Sequence, residues 1–442
     1  MLSARRNHRG LWSLTAAVGL AALLLPGLAQ ARLRPDRGFG GGRGWVTLSV
    51  RGMDLNANAA ALLPGGKLVI AGQAAPIPAP PTGNVQVFVA EYRADGRLDR
   101  SFGHRGVFFT HLPNARGPFN ATAVATDRSG RVLVAGGYGQ GAMLLMRLTA
   151  AGRLDHSFGA RRAGYVTRAV GSIANSMALG PNGTILLGGS NANVMGRPFV
   201  VARFTRRGLS DRRFGRAGLA QLLFWNATLA SSSNVTSLAV AADGGIVGSG
   251  HVDYIGGRQG QAGYGKAGIF RLSASGRLVR SFGQQGHALV GFRNAQGAFK
   301  SWFPCAMTLG PRGAITVSGD GSSLPKGQVL TARLTATGFL DRSFGRGGRS
   351  VVPGPGDGDI TNCGATADAS GGFTLGVGAT LLQLRVDGRP NHRFSPQGRF
   401  RIAAPRGVAV GAMVAAAGRR LVVAGSAGRR AYIAGYTVST TG

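Results

Sequence analysis

GRLDRSFGHRG, residues 96–106, is the stretch on which the fold turns. Gly96 opens a tight turn, Asp99 is placed to satisfy nearby backbone N–H groups, Phe102 is the one aromatic, and Gly103 follows where a positive φ costs least. The string returns as RPDRGFGGGRG from Arg34, GRLDHSFGARRAG from Gly152, GLSDRRFGRAG from Gly208, GRLVRSFGQQG from Gly276, GFLDRSFGRGG from Gly338 and a degenerate GRPNHRFSPQG from Gly388. Its aromatics, Phe39, Phe102, Phe158, Phe214, Phe282, Phe344 and Phe394, average 59 residues apart. Seven copies at a near-constant period mark an array of structural units.

A second motif keeps step with the first: a glycine turn, then a short apolar run ending in glycine. Examples are GRVLVAGG from Gly130, GTILLGG from Gly183 and GRRLVVAG from Gly418. A small-residue strand precedes each run and a β-rich segment follows it, as in FVAEYR from Phe88. Another strand follows the Phe-Gly string. Four strands per unit in seven units predict an all-β, seven-bladed β-propeller. The last unit ends without its string and fourth strand, while a lone string and GWVTLSV from Gly44 stand near the N-terminus. Pairing the two closes the ring and removes exposed edges; an open solenoid, which requires polar caps at both ends, is the alternative.

The LDRSFG strings resemble the delta-60 repeat family of exported bacterial proteins, and all seven units share the resemblance. It implies a β-propeller-like fold and no established enzymatic activity. The pattern breaks at Val279, which replaces Asp, and at Asn391 and Ser395. The string aspartates are read as Asx-type turns, because a calcium site needs six to eight oxygens and each turn offers one carboxylate amid arginines. The Phe is read as the apolar plug of its own hairpin.

Of the 442 residues, 51 are Lys or Arg and 16 Asp or Glu, a formal charge of +35, and only four of the cations are lysine. Glycine contributes 75 residues without a triplet period, which excludes collagen. The 44% hydrophobic content excludes a disordered basic tail. Arg5, Arg6 and Arg9 precede an apolar run from Leu11 to Leu25 and the small-residue pattern at Ala29 and Ala31. Residues 1–31 therefore read as a secretory signal peptide cleaved near Ala31, and residues 32–442 as the propeller. Fifteen residues rise about 22 Å as a helix, short of a ~30 Å hydrocarbon core, so a membrane anchor is disfavoured. The expected product is a monomer of charge +32 without a transmembrane segment, secreted or held in the periplasm or cell envelope. Cys305 and Cys363, 58 residues apart, sit at near-equivalent points of adjacent blades. Export permits a disulfide between them, and two buried thiols are the alternative. No metal site and no cofactor are expected.

Candidate sites fall on the two faces of the disc. Long segments at blade 4 and its borders gather Trp225, His251, Asp253, Tyr254, Arg258, Tyr264, Arg293, Lys300 and Trp302, a set suited to a carbohydrate or flat polar ligand; aromatic plugging between blades is the plainer reading. His251 and Asp253 are read as facing opposite sides of their strand, and so not as a pair. On the other face, the third-to-fourth-strand turns hold 20 Arg against 7 Asp. Arg100, Arg105, Arg212, Arg213, Arg216, Arg280, Arg342 and Arg346 there suit an anionic polymer. The chain therefore reads as a non-catalytic binding or scaffold module of the bacterial envelope. Its partner would be an anionic polymer, a carbohydrate or another envelope protein, and nucleic acid is not expected. A polysaccharide lyase or hydrolase and a non-specific polyanion binder are the alternatives.

Overall fold

The computed structural model describes residues 31–78, 85–110, 119–139, 141–194, 197–224, 230–254, 264–294, 297, 299–321, 327–354, 363–368, 370–402, 408–416 and 420–440. Over these residues the chain is all-β, with seven blades of antiparallel strands arranged in a ring as a seven-bladed β-propeller and one two-stranded ribbon beside them. In blade 1 the strands are Met53–Leu62, Leu68–Pro76, Gln86–Tyr92 and Val107–Phe109, in order from the axis outward. Blades 2 to 7 begin at Phe119, Ser176, Ala230, Phe303, Cys363 and Val408. First strands neighbour one another around the whole ring, blade 7 against blade 1 included.

The apolar pattern follows from where each strand lies. A middle strand is covered on both faces by adjacent blades, so it reads as an unbroken apolar run, and Ile185–Ser190 is buried throughout. An outer strand has one free side and alternates, as in Arg349–Pro353. Antiparallel pairing sends the first-to-second and third-to-fourth connections to one end of the disc, the turn face. The remaining connections form the loop face.

Each string fastens its blade to the next. Phe39, Phe102, Phe158, Phe214, Phe282 and Phe344 are buried against Gly96, Gly152, Gly208, Gly276, Gly338 and Gly388 of the following blade. The glycine after the Phe donates its N–H to the carbonyl just before that turn glycine, as in Gly103 to Ala151 (2.9 Å), Gly215 to Ser275 (2.9 Å) and Gly345 to Asp387 (2.7 Å). The expectation that the ring plugs its own hairpin is thus corrected: a turn of this length cannot bury a phenyl ring alone, and the seam beside it can. Phe394, followed by Ser395, packs instead with Leu33 and Tyr436 at the closure.

A second set of ties runs round the axis. The first strands carry a bulge at Asn58, Thr122, Thr236 and Cys305. From these positions, Asn58 Nδ2 donates to the Ala121 carbonyl (3.0 Å), Thr122 Oγ1 to that of Ala174 (2.6 Å) and Thr236 Oγ1 to that of Pro304 (2.9 Å). Asn175 Nδ2 donates to Asn234 Oδ1 (2.8 Å). Cys305 and Cys363 form a disulfide at a Cα–Cα distance of 5.7 Å, a covalent member of the same tier.

Blade 7 completes itself with the N-terminal region. Trp45–Leu48 pairs with residues 431–434, as GWVTLSV suggests, and Ala31–Pro35 extends the pairing to Thr440. That second stretch was not foreseen. It forms because Arg430–Thr440 runs straight on where the other third strands turn back. Residues 1–30 of the expected leader lie outside the described residues.

Candidate functional site

The arginines fall into two classes. In the five strings that keep Asp, the carboxylate Oδ1 accepts the N–H two residues on, at 2.9 to 3.2 Å, which is an Asx turn. Its Oδ2 meets a cation of the same blade: Arg420 for Asp36 (2.8 Å), Lys67 for Asp99 (2.7 Å), Arg147 for Asp155 (2.7 Å), Arg203 for Asp211 (2.9 Å) and Arg333 for Asp341 (2.8 Å). Arg420 is misaligned for a hydrogen bond and acts as a charge partner alone. Arg147, only 3% exposed, also stacks over Phe158 (4.5 Å) and donates to the Arg206 carbonyl of blade 3 (2.6 Å). One guanidinium therefore holds its Asp, its Phe and the neighbouring blade. In blade 4, where Val279 removes the Asp, Arg271 turns to Asp243 (2.5 Å). Hydrogen bonds from Lys67 and then Ser101 pull the Asp99 carboxyl down to about 2.

Sequence reading passed over these strand cations, although their signal was present. Arg147, Arg203, Arg271 and Arg333 recur just ahead of the turn in MRLT, ARFT, FRLS and ARLT. Arg100, Arg105, Arg212, Arg213, Arg216, Arg280, Arg342 and Arg346 are the second class. All eight are exposed. Among the described residues none of them lies within ion-pair distance of an acid, because the acids of these turns are held by the inner cations. On the turn face these eight guanidinium groups point outward and the string carboxylates inward.

The loop-face set is less coherent. Trp225 and Arg258 lie outside the described residues. Tyr254 and Tyr264 are register partners at the end of the central hairpin of blade 4, and Lys300 pairs with Phe292 in a two-stranded ribbon. Arg293 and Lys266 lie over the Phe299 ring at 3.8 and 4.3 Å. Burial, followed by the charge of Arg293, lowers the Lys266 pKa. Trp302, expected to face a ligand, does not. It is 0% exposed and set edge-on to Phe292 at 4.9 Å in the seam of blades 4 and 5, so it is core and unavailable to a ligand. A ring of that size lowers the free energy most where both faces are covered.

His251 and Asp253 are the second correction. Residues two apart on a strand share a face, and the His251 Nε2 to Asp253 Oδ2 distance is 3.7 Å. Burial lowers the histidine pKa and raises that of the aspartate, while each charge opposes the shift of the other. The Phe303 ring, 38% exposed, lies 5.9 Å from the imidazole. The arrangement offers a polar pair beside an aromatic surface, without an activated nucleophile.

Two surface cavities lie away from this set. One runs between blades 3 and 4, lined by Leu222, Phe224, Leu278 and His287. The other opens in blade 6. Among the described residues no group of three or more His, Cys, Asp or Glu is placed to hold a metal ion, and no helix is long and apolar enough to cross a membrane.

No family model matches the chain, and no curated protein is similar to it. Solved structures similar in outline include a protein of unknown function from Dyadobacter fermentans, at 12% identity and TM-score 0.46, covering 92% of this chain and 99% of that one. Sqt1 from Chaetomium thermophilum matches at 13% identity and TM-score 0.43, over 84% and 80% of the two chains. A gluconolactonase from Xanthomonas campestris matches at 12% identity and TM-score 0.38, over 96% and 99%. At these values the likeness is one of architecture and carries nothing about activity.

Proposed function

We propose that this chain is an exported propeller of the delta-60 type that works as a non-catalytic binding module at the bacterial envelope, where its turn face holds an anionic polymer. The observation that supports this reading is the division of charge on that face. The string carboxylates are paired inside the blades, and among the described residues the eight exposed arginines are left without an acid partner. Guanidinium groups bind sulfate, phosphate and carboxylate through paired N–H donors, and a face of them binds a polymer by releasing its counterions.

The test is retention of the purified protein on heparin and on alginate across a salt series, beside the triple variant Arg212→Ser, Arg213→Ser, Arg216→Ser. Each lost contact lowers the slope of log affinity against log salt by about 0.7 to 0.9, so the triple variant is expected to lose roughly 2 to 3 from it. Binding that ignores both salt and substitution contradicts the reading. Turnover of an acidic polysaccharide would replace it with an enzyme.

A further inference from the structure

Blade 6 carries the same first turn as blade 2. Asp127-Arg128-Ser129-Gly130-Arg131 becomes Asp368-Ala369-Ser370-Gly371-Gly372. In both blades the aspartate Oδ1 accepts the N–H groups two and four residues on, at 2.9 and 3.1 Å in blade 2 and 2.9 and 2.8 Å in blade 6. The turns differ in what meets the second oxygen. Asp127 Oδ2 receives Arg131 Nε at 2.7 Å, with Arg147 of the third strand close by. In blade 6, Gly372 replaces the first cation and Gln383, hydrogen-bonded to Asn391 (2.8 Å), replaces the second.

Asp368 is only 2% exposed, yet among the described residues its hydrogen bonds fall on Oδ1 and no cation pairs with it. The carboxylate leans over the Gly372 Cα, where a Cβ would lie 2.4 Å from Oδ2. Where blade 2 holds cationic side chains, blade 6 has the open cavity lined by Asp368, Ser370, Gly372, Leu384 and Asn391. Arg385 and Asp387 also line it, but they pair with each other (Nε to Oδ1 3.2 Å), so the cavity keeps one unmatched negative charge. A buried carboxylate without a counter-charge is costly, and the rest of this face is basic.

We infer that the blade 6 cavity receives a guanidinium or ammonium group from outside the chain, in the place that Arg131 and Arg147 fill in blade 2. The nearest precedent within the molecule is blade 4, where Arg271, at the position of Gln383, reaches Asp243 of the first turn at 2.5 Å. This inference does not rest on the polyanion reading of the outer arginines. The cationic group belongs either to a free small molecule or to an arginine or lysine side chain of a peptide.

Isothermal titration calorimetry of the full propeller tests it with butylguanidine, an acetylated Gly-Arg-Gly peptide and the neutral isostere butylurea. Butylguanidine is expected to bind at least tenfold more tightly than butylurea. Asp368→Asn, which keeps the Oδ1 acceptor of the turn, is expected to lose at least tenfold. Gln383→Arg, a residue four other blades carry, is expected to lose as much by supplying its own guanidinium, which covers the case in which Asp368→Asn fails to fold. Tighter binding of the peptide identifies a protein side chain as the source, and tighter binding of butylguanidine a free small molecule. Absence of saturable binding, equal affinity for butylurea, or unchanged affinity in Gln383→Arg overturns the proposal.

Discussion

Asp99 and Lys67 show how single residues set the pH response. The Asp99 carboxyl titrates at about 2 in the folded chain against an ordinary 3.8, so its contribution is complete above about pH 5 and is lost as pH falls through 4 towards 2. A shift of this size is worth at most about 2 kcal/mol, and less here because Lys67 is partly exposed. Lys67→Met is therefore expected to be less stable than the wild type at pH 6, with the gap closing as the pH approaches 2. Urea unfolding at several pH values reads this directly, and a gap that stays constant contradicts it. At this scale the sequence yielded half of the arrangement. Asp and Phe stood out because they recur in one string, and the Asx turn followed from local chemistry. The cations were passed over because the position changes between blades: Arg147 sits on a third strand, whereas Lys67 and Arg420 stand at the start of second strands, and only the fold brings each to its own aspartate. His251 and Asp253 failed for a simpler reason: the period of two was applied with the wrong sign.

Strands were the most legible level, since the apolar runs and glycine turns repeat seven times. The two additions, Ala31–Pro35 and the ribbon of Phe292–Arg293 with Phe299–Lys300, occur once each and so left no periodic signal. Ala31–Pro35 matters most, because with Trp45–Leu48 it covers the open side of Arg430–Thr440. Deletion of residues 32–48 bares that strand and removes Phe39 from beneath Gly96. The deleted chain is expected to melt in two transitions, blade 7 first, and to aggregate through its new edge. Scanning calorimetry and light scattering check this, and a single unshifted transition would contradict it.

For the whole molecule, the ring is held by seams of similar design, among which the link from Cys305 to Cys363 is covalent. Closing a loop of 58 residues contributes up to about 4 kcal/mol by restricting the unfolded chain. Cys305→Ser together with Cys363→Ser is expected to lower the melting temperature by several degrees and to make it insensitive to dithiothreitol; equal melting of variant and wild type contradicts this. The near-equivalent placing of the cysteines was visible in their spacing. The axial tier they belong to was not, because Asn58, Thr122, Asn175 and Thr236 share a position and little chemistry. The outer strand of blade 7 has one more consequence, a matter of timing. Trp45–Leu48 leaves the ribosome long before its partner at residues 431–434. At about 5 to 20 residues per second, tens of seconds separate the two. Until residues 431–434 are made the molecule is an unlocked chain of blades, and the ring seals only when they meet Trp45–Leu48.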